Sequence, residues 1–519
     1  MKPIDRKRLR RDFYEVQKTQ ARKSLAVFAL LLLFYVLGLG LLLFIVWTAV
    51  AAVSGRLLFF EPGSWVQFGL VDGAAALILA AIQYGDARRS GGAFILKRLR
   101  ASPPDPSDRY HRELQNIVDA IRLAAGLPRV EAAVLPDWAV NSLAVIEPDG
   151  TPVVAVTEGL LADFARDEIE AVVAHEIGHI ARGDAFVLTL VASTANLFER
   201  LREAFEPDSD ASNELFGAGA RSKGNGLGAL AGLSALIIRL LAALVSRQRE
   251  LLADAAAVEL GRNPAALGRA LYKADIRNTF VGDFDRTYSP LFIVAPRSRR
   301  EAPDPPAPWF ATHPPVKDRI RVLAEMAHKT PLDLVAEIKD MGNERERSKL
   351  VFPAFDEIKV RPPEGSSPAR LTRAAGRGLC PRCGIPLADT FYEGVPIKIC
   401  RTCLGKLVPQ ERMDRILART EIGFSDALNR RADAFVAAFA GATAKPAAAA
   451  IRNPMKAMKA EDLRSPPPFC PECGYRLASR PYNYQYFLPI ERCLDCGRIW
   501  FDADELEILQ ILVERAKKA

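Results

Sequence analysis

The chain has 519 residues, 25% of them charged and 49% hydrophobic, which is too long for one domain and excludes a disordered or collagen-like protein. A net charge of +8 and a pI near 9.0 point to a phosphate-rich partner, either nucleic acid or an anionic membrane surface. The mean hydropathy of +0.03 averages unlike parts and has to be read locally.

No charged residue lies between Lys23 and Arg56. The stretch exceeds the roughly 20 residues that cross a bilayer core and is too long for the apolar region of a signal peptide, so it predicts a transmembrane helix. A second span is predicted from about Trp65 to Tyr84. It contains one acid, Asp72, which should face a neighbouring helix or water instead of lipid. Residues 1–23 hold nine Lys and Arg, the connection between the spans holds only Arg56 and Glu61, and Arg88, Arg89, Lys97, Arg98 and Arg100 follow. Positive flanks stay inside, so the N-terminus and everything after about residue 86 are expected on the cytoplasmic side. Much of the basic charge is then membrane-proximal, and nucleic acid is not needed to explain it.

Residues 130–156 read as short strands (VEAAVLP, WAVNSLAVIE, TPVVAVT), followed by a short helix at GLLADFA and a second from about Asp167. The second helix carries His175-Glu176-Ile177-Gly178-His179. Two histidines four apart share one helical face and can bind one zinc ion, and Glu176 beside them can take a proton from a water on that metal. Ala171, Val172, Val173, Ala174, Ile177 and Ile180 make the helix apolar, and three ionisable groups within it need partners. A catalytic zinc wants a third protein ligand and an open position. Downstream, Glu250 and Asp254 lie one turn apart on an Ala/Leu-rich helix. Glu250 suits the third ligand, and Asp254 suits the second ring nitrogen of a ligating histidine.

The segments HEIGHIARGD, SRQRELLAD and THPPVKDRIRVL, behind an N-terminal apolar hairpin, resemble the HtpX-type membrane zinc metallopeptidases, relatives of the CAAX prenyl proteases, over about residues 20–330. The resemblance implies His175, His179 and Glu250 as zinc ligands and Glu176 as general base. It further implies Asn141, in VNSLAV, at the strand edging the cleft, where it would hold substrate backbone. The family pattern continues there with a small residue and Gly, where this chain has Ala144 and Val145. His313 falls in a THP motif as an oxyanion stabiliser or a structural residue. His111 and His328 match nothing and read as surface residues.

His179 and Glu250 must lie on one side of the membrane to meet at one metal. The apolar segments 185–198 and 226–246 between them therefore cross twice or not at all. The acidic balance of 199–225 favours a second hairpin over 185–246.

All eight cysteines follow residue 379, as the pairs Cys380/Cys383, Cys400/Cys403, Cys470/Cys473 and Cys493/Cys496. CPRCGIPL…PIKICRTC recurs as CPECGYRL…PIERCLDC. Each half reads as a four-cysteine zinc ribbon, closed and therefore structural. Disulfides are the alternative, disfavoured in a reducing compartment. The second ribbon, with GRIWFDADELEIL after its last pair, is similar to the transcription-factor-IIB type. Neither ribbon alternates aromatics with Lys or Arg, so docking of protein substrates or partners is expected and nucleic-acid binding is not.

The expected fold is multidomain α+β: transmembrane helices, a mainly helical zincin-type peptidase domain with a small sheet, and two zinc ribbons. The boundaries are a basic N-terminus and hairpin over 1–95, the peptidase over 96–345, a linker over 346–378, ribbon one over 379–420, a helical or flexible linker over 421–468, and ribbon two over 469–519. The expected protein is a multi-pass enzyme of a bacterial inner or cell membrane with its peptidase domain and ribbons cytoplasmic. It would carry one catalytic and two structural zinc ions and cleave protein or peptide substrates, membrane proteins among them. The rival reading is a catalytically silent, membrane-tethered ribbon scaffold binding protein or nucleic acid.

Overall fold

A computed structural model describes residues 62–183, 249–277, 291–296, 313–358, 377–443, 468–482 and 488–518, together with 33, 36, 40, 185 and 189. Most of the first expected span, most of 185–246, the proline-rich stretch 297–308 and much of the expected linkers 346–378 and 421–468 lie outside these residues. The chain divides into two compact units, one of residues 1–104 and 113–336, the other of residues 105–112 and 337–519.

The first unit begins, in its described part, with helix α1 (Pro62–Arg98), which contains the expected second span. Among the described residues, no helix is long and apolar enough to cross a membrane. Gln67 and Asp72 break the apolar run of α1, and Gly69, Gly73 and Ala74 to Ala76 dilute it. Asp72, Ala76 and Ala80 are buried, while Val66, Leu70, Val71, Ile78 and Ile82 are exposed. Asp72 packs on helical Gly40, where a Cβ would lie 2.8 Å from its Oδ2, so any larger residue at 40 would displace the carboxylate.

Helix α2 (Arg109–Ala124) leads to the small sheet of β1 (Glu131–Leu135), β2 (Ser142–Ile146) and β3 (Pro152–Thr157). The strand order is β1-β3-β2, with β1 parallel and β2 antiparallel to β3. All three strands are nearly continuous apolar runs, because both faces of the sheet are covered. One face buries Leu135, Leu143, Val145 and Val153 against Ile95 and Leu96 of α1, against Leu99 just beyond it, and against Leu291 and Phe292. The outer edge of β2 is met by that last segment: Leu143 bridges Phe292, and Ile293 N–H donates to Ser142 C=O at 3.1 Å.

Thr157 then caps α3 (Glu158–Asp163), its hydroxyl accepting Leu160 N–H at 3.2 Å. The histidine-bearing helix is α4 (Arg166–Ala181). Its first turn carries Asp167 and Glu168, favourable at the positive end of a helix. Both acids are tied to α6 (Pro264–Arg277), Asp167 by Arg269 and Glu168 by Lys273, each at 2.5 Å. Helix α5, described over 249–261, packs on α4 at Gly178. A Cβ on Gly178 would already stand 3.0 Å from Ala256 Cβ and 3.4 Å from Ala253 C=O. The glycine of the HEIGH motif and the alanines of α5 therefore set the spacing at which the two helices' polar residues meet. Helix α7 (Val316–Met326) follows, and α8 (Pro331–Ser348) runs from the first unit into the second.

In the second unit the two cysteine halves are one structure. Strands β5 (Ala388–Tyr392), β6 (Val395–Ile399) and β7 (Lys406–Pro409) come from the first half, and β9 (Ala478–Pro481), β10 (Pro489–Arg492) and β11 (Arg498–Phe501) from the second. They form a single six-stranded sheet in the order β5-β6-β7-β11-β10-β9. The join pairs Leu407 with Trp500, each the fourth residue after the last cysteine of its own half. An equivalent residue facing its equivalent marks a pseudo-twofold axis. The flanking ion pairs obey it with charges exchanged: Arg382 meets Glu491 at 2.7 Å and Lys398 meets Glu472 at 3.4 Å. Trp500 is fully buried against Gly405, where a Cβ would lie 2.2 Å from the indole. One face of the sheet packs on α9 (Met413–Ala418) and α11 (Glu505–Lys518) through Val408, Ile499, Phe501, Ile416, Leu417 and Leu509.

Two regions set down as linkers contain regular structure. Strand β4 (Leu350–Phe352) pairs in parallel with β8 (Ile422–Phe424), and α10 (Asp426–Thr443) follows, burying Leu428 and Ala432 with Ile511. Residues 105–112 also fold here. Asp108 caps α2 by accepting Tyr110 N–H at 2.9 Å and pairs with the equally buried Arg419 at 2.9 Å. His111 is buried and accepts Asp105 N–H at 2.9 Å, which corrects its reading as a surface residue; His328 is exposed.

Candidate active site

The approach of α4 and α5 brings His175, His179 and Glu250 together, all buried. The two Nε2 atoms are 3.2 Å apart, and the Glu250 carboxylate lies 3.4 Å from His179 Nε2 and 3.7 Å from His175 Nε2. A tetrahedral ion with arms of about 2.05 Å would space its donors by about 3.3 Å, so the set fits zinc. Tautomers agree with this. His175 Nδ1 lies 3.0 Å from Asp254 Oδ1, a contact that requires its proton on Nδ1 and leaves the Nε2 lone pair facing the cluster.

The anions of this cluster are held by Arg319 of α7, which is completely buried. Its Nε and Nη2 make a bidentate pair with Asp254 at 2.8 and 2.7 Å, and its Nη1 lies 3.1 Å from Glu250 Oε2. Burial alone would lift the Glu250 carboxyl, but His313 and Arg319 beside it hold it well below the usual range. Asp254 is lowered likewise: burial works against the charge, and Arg319 and His175 outweigh it. Glu176 differs. Burial pushes its carboxyl up, opposed by the two histidines and by Ser142, whose hydroxyl donates to Glu176 Oε1 at 2.6 Å. The two acids flanking the histidines are therefore biased in opposite directions, Glu250 downward and Glu176 upward.

His313 joins the same cluster, its Nδ1 3.5 Å from Glu250 Oε2. Asn141 is completely buried and engaged by the fold. Its Nδ2 donates to Val294 C=O at 2.8 Å and its Oδ1 accepts Ser142 N–H at 3.1 Å. Sequence reasoning passed over Arg319 and Ser142. Arg319 left a trace, since it stands four residues before Leu323 on the buried face of α7 with Ile320 and Ala324, where packing asks for an apolar residue. Ser142 left none.

The eight cysteines form two groups, Cys380/Cys383/Cys400/Cys403 and Cys470/Cys473/Cys493/Cys496, with the sulfurs of each group within 4.8 Å of one another. All eight are free thiols. The close pairs Cys380–Cys403, Cys473–Cys493 and Cys470–Cys496 are at 3.5, 3.4 and 3.6 Å. A zinc tetrahedron with arms of about 2.3 Å has edges of about 3.8 Å, so both groups fit that ion.

Residues 108–327 match the family described as Peptidase family M48. The chain is 31% identical to a protease HtpX homologue of Dictyoglomus thermophilum over 325 residues, 62% of this chain and 97% of that protein. It is 28% identical to one of Caldanaerobacter subterraneus subsp. tengcongensis over 331 residues, 61% of this chain and 99% of that protein. A crystal structure of S. mikatae Ste24p aligns at 20% identity with a TM-score of 0.30, covering 53% of this chain and 63% of that one.

Proposed function

The chain belongs to peptidase family M48, with the HtpX homologues among its relatives, and from that premise we propose that it is a zinc-dependent endopeptidase of the cytoplasmic membrane face. The observation that carries the reading is the meeting of His175, His179 and Glu250 at zinc spacing, with Glu176 on the adjoining position of the same helix. Zinc held there supplies Lewis acidity and lowers the pKa of a water to about 7. Glu176 accepts a proton from the attacking water and returns it to the leaving amine. Asp254 fixes the His175 ring, and Arg319 keeps both buried carboxylates ionised. His313 is the candidate for stabilising the oxyanion, and Asn141 supports the cleft rim through Val294.

The apolar stretch 24–55 and the exposed apolar side chains of α1 support membrane anchoring, with residues 185–246 as a further hairpin. We assign zinc to both cysteine groups as well, giving three ions per chain, and a docking role for protein substrates to the unit that carries them.

The test is the full-length protein with Glu176→Gln, assayed on fluorescently labelled unfolded casein with zinc measured by elemental analysis. Activity is expected to fall by at least about 10²-fold, with zinc content as in the wild type. A Glu176→Gln protein, free of other proteases, that still cleaves casein would overturn the enzyme reading. Reporters after Ala519 and at Ser102 should be cytoplasmic, and one at Pro207 external. A cytoplasmic signal at Pro207 would remove the second hairpin and leave the enzyme reading standing.

A further inference from the structure

Ser142 lies beside the reaction centre without belonging to the metal cluster. It opens β2, is completely buried, and its hydroxyl donates to Glu176 Oε1 at 2.6 Å. That length is typical of a hydroxyl bonded to a charged carboxylate, roughly twice as strong as a neutral pair. We propose that Ser142 is a positioning residue for Glu176: it holds one carboxylate oxygen still, so that the other alone gives and takes the proton. The proposal rests on the reading of Glu176 as general base.

Three features give the serine this capacity. Its main chain is pinned from both sides, the N–H on Asn141 Oδ1 at 3.1 Å and the C=O on Ile293 N–H at 3.1 Å. Ile293 is itself anchored, its C=O accepting Arg319 Nη1 at 2.8 Å. The position of the Ser142 oxygen is thus fixed by the same arginine that holds the third ligand and the carboxylate behind His175. A glutamate, by contrast, has several rotatable bonds, and ordering such a side chain costs conformational entropy. A bond from a fixed donor removes that freedom before substrate arrives. Finally, a serine hydroxyl has one proton to give. While Ser142 donates it to Oε1, the proton taken from water is accepted at Oε2 and leaves from Oε2 for the amine, so no proton is gained or lost over the cycle.

The segment 291–294 gives Asn141 and Ser142 a shared task. Asn141 secures the segment through Val294, the segment secures Ser142 through Ile293, and Ser142 secures the base. A residue expected to hold substrate is, in this arrangement, part of what holds the catalytic carboxylate.

The experiment compares Ser142→Ala, Ser142→Thr and Glu176→Gln in the full-length protein, with casein as the probe. Ser142→Ala is expected to lower kcat about tenfold, equivalent to about 1.4 kcal/mol, with KM within about twofold, and zinc content at the wild-type level. Ser142→Thr keeps the hydroxyl and adds a methyl, and should recover kcat to within about threefold. Adding Ser142→Ala to Glu176→Gln should change nothing further, because the serine acts only through that carboxylate. A wild-type kcat in Ser142→Ala, a loss that threonine fails to recover, or a loss that tracks zinc release each overturns the proposal. A Glu176→Gln protein that remains active overturns the base reading instead, so the two failures are distinguishable.

Discussion

The histidine–glutamate cluster and the cysteine groups gather donor atoms for an ion by opposite means. Each cysteine group draws its sulfurs from two short knuckles within one half of the sequence, and the two halves reinforce each other across the Leu407–Trp500 pair. The histidine site draws its donors from two helices distant in sequence, and a buried arginine from a third helix holds them in place. A closed shell of four thiolates supplies its own rigidity, whereas a site with one position left open needs support from outside its ligands. The comparison predicts that the first kind fails as a unit and the second by degrees.

Glu250→Gln should give the largest effect. It takes an anion from an open site, and both zinc occupancy at that site and peptidase activity are expected to fall, with elemental analysis giving clearly fewer than three ions per chain. Three retained ions would show that Glu250 is not a ligand. Cys403→Ser sharpens the other side of the comparison. All eight cysteines pack in one cluster with Leu407, Leu477 and Trp500, so loss of one group should strip the other. Zinc is expected to fall from three ions to one, with loss of the near-ultraviolet signal of Trp500. A fall to two would mean that the halves fold independently.

Arg319→Met removes the guanidinium shared by the buried carboxylates of Glu250 and Asp254. Losing one partner of such a pair costs about 3–5 kcal/mol, and zinc affinity at the histidine site, measured by chelator competition, should weaken about 10–100-fold while the cysteine groups keep their ions. The smallest effect concerns Glu491, whose carboxyl is raised to about 7 by burial and then by Asp502, Arg382 notwithstanding. A carboxyl raised on folding stabilises the fold when protonated, and that contribution is lost as pH climbs from its ordinary 4.5 through about 7. Glu491→Gln removes the charged form, so it should raise the melting temperature of the second unit by a few degrees at pH 8 and by less at pH 6. An equal shift at both values would exclude the titration.

What could be read from the sequence follows the same division. The cysteine pairs were legible because knuckle spacing is a local property. His175 and His179 were legible because helical periodicity fixes their face, and β1 to β3 because apolar runs bounded by turn residues mark strands. Glu250 could be named as a ligand type, but its arrival at the histidines depends on the clearance between Gly178, Ala253 and Ala256, which is a tertiary distance. The single sheet joining both cysteine halves was hidden by the long segment between them. It suggested two separate modules, whereas the pairing of β7 with β11 depends on matched edges that no local pattern announces. Asn141 shows the same limit: no local pattern announces Val294, 153 positions away, as its hydrogen-bond partner.

Residues 105–112 impose an order on biosynthesis. Arg109 pairs with Glu421 across 312 positions, and Asp108 beside it is buried against Arg419. At about 5–20 residues per second, the ribosome needs roughly 15–60 s to deliver those partners. The first turn of α2 is therefore made long before anything exists to neutralise Asp108, and the intervening peptidase sequence emerges while that turn waits. A chain stopped short of residue 415 would lack both Arg415 and Arg419, and Asp108 would cap α2 with neither guanidinium beside it.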